Sequence, residues 1–94
     1  MEIAAFQRRM EQTYGRRNEG RGVPVTVASL AEEIGELARA ARKGNAAQQL
    51  HELGDVLAWL ASLSNQLGLS LEDAAARYRD GCPRCSLSPC GCPS

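Results

Sequence analysis

Residues 32–55 read EEIGELARAARKGNAAQQLHELGD. The stretch holds two helical segments joined at Gly44-Asn45. Gly44 suits a helix stop, and Asn45 with Gln48 three residues on has capping-box spacing, in which each side chain satisfies an otherwise unpaired amide of the helix start. So short a connection makes the two helices antiparallel neighbours. Their arms match: about two turns separate Glu36 from Gly44, and about two separate Asn45 from Glu52. A hairpin built this way brings the acids of both arms to one height.

Those acids are unusual in their surroundings. Residues three apart share a helix face, so Glu33 pairs with Glu36 and Glu52 pairs with Asp55. Charged helix positions ordinarily form a solvated face laced with i,i+4 ion pairs. Here, among partners three or four residues away, only Glu36 has a full cation, Arg39. Like charges one turn apart each cost a few tenths of a kcal/mol. Facing the two pairs across a helix interface costs more unless a cation lies between them. The donors are all oxygens, with no Cys or His among them, which suits a hard ion, Mg²⁺ or Mn²⁺. Such an ion keeps positions for water and substrate phosphates. Gly35 and Gly54 each precede the closing acid of a pair. A mid-helix Gly costs about 1 kcal/mol relative to Ala, so either a bulky group such as a nucleotide passes close to the backbone or the helices pack closely. His51, the sole histidine, reads as a partly exposed helical residue with Asp55 as its acidic neighbour.

Outward from the hairpin the chain stays helical in pattern. Helix 1 is expected over about residues 2–14, with Ile3, Phe6, Met10 and Tyr14 at helical spacing and Gly15 as its stop. Residues 16–24, RRNEGRGVP, read as a polar loop whose Arg16, Arg17 and Arg21 are ordinary solvated charge, though within reach of a triphosphate. Helix 2 begins near Thr26 or Ser29 and carries Val27, Leu30, Ile34, Leu37 and Ala41 as its apolar stripe. Helix 3 runs to Gln66 or Leu67, stops at Gly68, and carries Leu53, Val56, Leu57, Leu60, Leu63 and Leu67. Ser70 with Asp73 opens a short helix 4 bearing Leu71, Ala74, Ala75 and Tyr78, ending at Gly81-Cys82-Pro83. No stretch alternates as a strand does. The expected fold is all-α, four helices over residues 1–80, followed by a Cys-rich tail over 81–94.

Composition narrows the function classes. A chain of 94 residues buries about 60–65% of its unfolded surface and is marginal alone, so an oligomer or a metal staple is expected. Eleven basic residues balance eleven acidic ones, which suggests neither a nucleic-acid binder nor a polybasic membrane anchor. The opening MEIAAFQRRM lacks the apolar core of a signal peptide, and no apolar run reaches the ~20 residues of a membrane span. A soluble, cytoplasmic protein is the expectation.

The paired motifs resemble a known family. EEIGELARA (32–40) followed by ELGDVLAWLASLSNQLGLSLEDAAARY (52–78) looks like the Glu-Glu-x-x-Glu … Glu-x-x-Asp signature of the all-α nucleoside triphosphate pyrophosphohydrolases, in their MazG-like branch. The resemblance covers roughly residues 1–80, and the tail resembles MazG-like members ending in CPRC…PCxC. It implies a four-helix MazG-like bundle completed by oligomerisation, as a homodimer or tetramer. It also implies hydrolysis of a nucleoside triphosphate (ribo or deoxy) between its α- and β-phosphates, giving the monophosphate and pyrophosphate in nucleotide-pool housecleaning. By motif position Glu33, Glu36, Glu52 and Asp55 match metal ligands. Glu32 matches the first acid, which orients or deprotonates water or binds a further ion. Family members often carry cations after the last core helix that contact phosphates, and Arg77 and Arg79 are the residues available here. Trp59, one turn beyond Asp55, either stacks on a base or packs in an interface.

The cysteines Cys82, Cys85, Cys90 and Cys92 form CPRCSLSPCGC. Three states compete: a Cys₄ zinc site that staples the tail, disulfides, which a reducing cytosol disfavours, and free thiols. Two other functions stay open: a non-catalytic, metal-binding helical interaction module, and an activity like that of the phosphoribosyl-ATP pyrophosphohydrolases, which share the acid pattern.

Overall fold

The computed structural model describes every residue from Met1 to Ser94 and contains four helices and no strand. They are α1 (Ile3–Arg21), α2 (Val23–Lys43), α3 (Ala46–Leu67) and α4 (Leu71–Ala76). None of them is long and apolar enough to cross a membrane.

The α2–α3 hairpin forms as its sequence dictates. Asn45 accepts from the Gln48 amide at 2.9 Å while Gln48 accepts from the Asn45 amide at 2.9 Å, closing the capping box. Gln49 Nε2 then donates to the Ala40 carbonyl at 3.1 Å and ties the start of α3 to the end of α2. A Cβ at Gly44 would lie 2.8 Å from that same carbonyl oxygen, so only glycine fits the junction. At the far end of α3, Gly68 takes the left-handed conformation (φ 68°) that a helix C-terminus favours in glycine.

The expected loop at residues 16–24 is not a loop. α1 continues through Gly15 and Gly20, and a single residue, Gly22 at φ 80°, separates it from α2. The two helical glycines each cost about 1 kcal/mol relative to Ala, a penalty that docking of α1 on α3 outweighs. Gln66 Nε2 on α3 donates to the Asn18 carbonyl at 3.0 Å, deep in the stretch read as loop. Pro24 sits in the first turn of α2, where its missing N–H is harmless. Neither Thr26 nor Ser29 caps that helix; Thr26 is fully buried and its hydroxyl donates to the Gly22 carbonyl at 3.2 Å.

Amides fasten α1 to the rest. Gln7 Nε2 donates to Asn65 Oδ1 (2.9 Å) and to the Leu69 carbonyl (2.8 Å), while its Oε1 accepts from the Leu71 amide (2.8 Å). One side chain thus holds α1, the end of α3 and the start of α4. Ser70 caps α4 through the Asp73 amide, as its sequence suggests. α4 is shorter than expected. It ends at Ala76, and residues 77–79 continue as tighter turns bonded to carbonyls three residues back.

The inner seam of the hairpin is not the apolar stripe read from the sequence. On α2 the least exposed positions include Thr26, Leu30, Glu33, Leu37 and Ala40; on α3 they include Gln49, Glu52, Val56, Trp59 and Leu63. Glu33 and Glu52 therefore lie in the seam itself. More than half of each expected stripe faces outward: Val27, Ile34 and Ala41 on α2, and Leu53, Leu57, Leu60 and Leu67 on α3. The only buried apolar residues are Ala40 and Ala61. The radius of gyration, 15.4 Å, exceeds the about 12 Å of a compact domain of this length. Three long helices in one open layer cannot cover one another on every side.

Candidate active site

The acids meet where the hairpin brings its arms together. Glu33 is half-buried on α2, and its carboxyl is held above the usual range by burial first, then by the charges of Asp55, Glu52, Glu36 and Glu32. Asp55 and Glu52 belong to the opposite helix, so the charge convergence expected from the matched arms is present. Glu52 and Asp55 are half-buried; Glu32 and Glu36 are exposed on α2, flanking Glu33.

Almost nothing neutralises them. Arg39 makes no ion pair with Glu36, despite its spacing. The only basic–acidic contact in the chain joins His51 Nε2 to Asp55 Oδ2 at 3.3 Å. His51, Glu52 and Asp55 offer ligand atoms lying within 4.8 Å of one another. The tightest group of potential ligands thus sits on α3, and Glu33 reaches toward it from α2.

Two clefts adjoin the acids. One, of about 340 Å³, is lined by Glu36 and Glu52 together with Arg39, Lys43 and Gln48. It sets two cations beside two carboxylates near the hairpin turn. Their signal in the sequence is faint: Arg39 and Lys43 follow Glu36 by three and seven residues and so share its face. The second, of about 110 Å³, lies beyond Asp55 and is lined by Tyr14, Asn18, Arg21, Ala58, Trp59 and Ser62. The Arg21 guanidinium lies 4.8 Å from the centroid of the Trp59 ring, and its Nη1 donates to Asn18 Oδ1 at 2.9 Å. Asn18 is buried, and its amide nitrogen has no partner. Sequence reading missed Asn18 and placed Arg21 in a loop, because this arrangement exists only once α1 runs through to Arg21.

Gly35 and Gly54 pack against nothing within the chain: a Cβ at either would meet no atom within 4 Å. Close packing of α2 on α3 is therefore not what requires them. Arg77 and Arg79 line neither cleft; Arg77 instead lies over the Tyr78 ring, 5.4 Å from its centroid.

The four cysteines gather separately. All are free thiols, and their sulfurs lie within 4.8 Å of one another. Main-chain N–H groups of Cys85 and Arg84 hold the Cys82 thiol down to about 6, and those of Gly91 and Leu87 lower Cys85. The surrounding thiols push Cys92 up to about 11.

The chain is an all-helical domain with an acid-lined hairpin seam, flanked by exposed cations and an aromatic cleft. The family model of the MazG nucleotide pyrophosphohydrolase domain matches residues 22–83, about two thirds of the chain, and the chain belongs to that family. No curated protein matches it.

Proposed function

We propose that the protein hydrolyses nucleoside triphosphates, ribo or deoxy, between the α- and β-phosphates, releasing the monophosphate and pyrophosphate. The observation that carries this reading is the convergence of Glu33 with Glu52 and Asp55 across the hairpin in a chain of this family. The donor set fits Mg²⁺ or Mn²⁺: its carboxylates are oxygen donors, partly desolvated, mutually repelling and unpaired except at Asp55. Glu33, Glu36, Glu52 and Asp55 are the residues that would hold the ion. When bound, it supplies charge neutralisation for the phosphates and a lowered pKa for an attached water.

The chain's own side chains supply the rest. Arg39 and Lys43 line the larger cleft and offset the charge of the polyphosphate as it settles beside Glu36 and Glu52. Glu32 is exposed next to Glu33 and accepts the proton of the attacking water as the new oxygen–phosphorus bond forms and the bond to the pyrophosphate oxygen breaks. Trp59 offers its ring to the base, with Arg21 and Asn18 beside it.

The working unit is a homodimer or a dimer of dimers. Leu50, Leu53, Leu57 and Leu60 form an exposed stripe on α3, set roughly 160° around the helix from Glu52 and Asp55. Val27, Ala31, Ile34 and Ala38 form its counterpart on α2. A second copy covering these stripes buries the apolar face and leaves the acids open. The test of the activity is incubation with a panel of NTPs and dNTPs plus Mg²⁺. Paired release of monophosphate and pyrophosphate is expected, and no turnover of any nucleotide rejects the reading.

A further inference from the structure

We propose that residues 82–92 form a structural zinc knuckle in which Cys82, Cys85, Cys90 and Cys92 bind one Zn²⁺ through four thiolates. The sulfur spacing is that of a coordination shell and not of a covalent pair. Zn–S bonds of about 2.3 Å in a tetrahedron place neighbouring sulfurs about 3.8 Å apart. Cys82 and Cys92 Sγ are 3.7 Å apart, and Cys85 and Cys90 Sγ are 4.0 Å apart. A disulfide needs about 2.05 Å.

The backbone is shaped to keep the sulfurs together. Ser86 N–H donates to the Cys82 carbonyl at 2.7 Å and Cys82 N–H to the Leu87 carbonyl at 3.0 Å, closing the first Cys-x-x-Cys into a tight loop. Gly81, at φ 103°, starts that loop, and a Cβ there would lie 2.6 Å from the Leu87 oxygen. Ser86 turns the chain back at φ 62°. Amides also point at sulfur: Gly91 N–H at Cys85 and Cys92 N–H at Cys90, each at 3.3 Å. Donors aimed at sulfur favour thiolates, the form a metal takes.

No buried apolar side chain holds the tail together. Leu87, the one large apolar side chain of residues 81–94, is exposed. As thiolates the four converging sulfurs would repel one another without a cation, and one Zn²⁺ removes that repulsion while tying the two Cys pairs into one unit. With four protein ligands the ion has no open position, so it stabilises the tail and takes no part in the chemistry at the hairpin.

The test is metal analysis of the purified full-length protein. One zinc per chain is expected, retained in Glu52→Gln and lost in both Cys85→Ser and Cys90→Ser, with the helical circular dichroism of α1–α3 kept in all three. Exchange with Co²⁺ should give the intense red-region absorption and sulfur-to-metal charge transfer of a tetrahedral thiolate site. The proposal is overturned by a zinc-free chain, by an intact mass short of two hydrogens per disulfide, by bound iron instead of zinc, or by zinc that follows Glu52 and not the cysteines.

Discussion

His51 Nε2 lies 3.3 Å from Asp55 Oδ2, one turn away on α3, and no other basic side chain in the protein reaches an acid. His51 is largely exposed, so it orients the Asp55 carboxylate from the solvent side and does not occupy the seam. A partner of this kind typically changes metal affinity by about 10–100-fold, less than loss of a ligand. His51→Ala is expected to raise the Mg²⁺ concentration needed for half-maximal turnover about 10-fold with kcat at saturating metal nearly kept. Asp55→Asn and Glu52→Gln are expected to lower turnover at least about 100-fold at any Mg²⁺ concentration, with helicity unchanged. Full activity in Glu52→Gln rules out the ligand assignment.

Glu33 gives the protein a pH signature. Burial and four neighbouring acids hold its carboxyl above the ordinary glutamate range. The metal-free folded state therefore binds this proton more tightly than the unfolded chain does. That contribution is full below about pH 4.5 and is lost as pH rises through the raised folded-state value. In chelator, Glu33→Gln should melt with wild type near pH 4 and above it at pH 8. Millimolar Mg²⁺ should raise the melting temperature of wild type at pH 8 and not at pH 4, and should leave Glu33→Gln unmoved. Calorimetry showing equal wild-type and Gln melting at pH 8 in chelator places Glu33 away from the other acids.

Open space around Gly35 and Gly54 separates two roles. Replacing either with Ala should stabilise its helix by about 1 kcal/mol, about 4–8 °C in a domain of this size. A nucleotide passing over the backbone meets the added methyl, so KM should rise several-fold in the same variants. Greater thermal stability with an unchanged KM shows that substrate does not approach there.

The outward leucines make the oligomer testable. Leu53→Asp and Leu57→Asp should shift the species seen by light scattering coupled to size exclusion from dimer or tetramer toward monomer. The monomer should unfold more readily, because its buried apolar residues are Ala40 and Ala61 alone. A wild-type chain that is monomeric at tens of micromolar contradicts the assembly.

What was legible in the sequence was local. Asn45 and Gln48 cap each other across three residues, Ser70 meets the Asp73 amide, and Gly68 closes α3; each contact is set by spacing along one helix. The matched arms around Gly44 also placed the acids of both helices at one height, because an antiparallel hairpin with so tight a turn admits one register. Tertiary contacts decided what spacing could not. α1 runs through two glycines because Gln66 and the Gln7 network hold it against α3 and α4, and only then do Asn18 and Arg21 stand beside Trp59. Periodicity alone also cannot say which side of an amphipathic helix faces its own chain. Here Leu50, Leu53, Leu57 and Leu60 of α3 turn outward while Glu33 and Glu52 turn into the seam, a choice that depends on what the other helices cover and not on the spacing of the apolar residues.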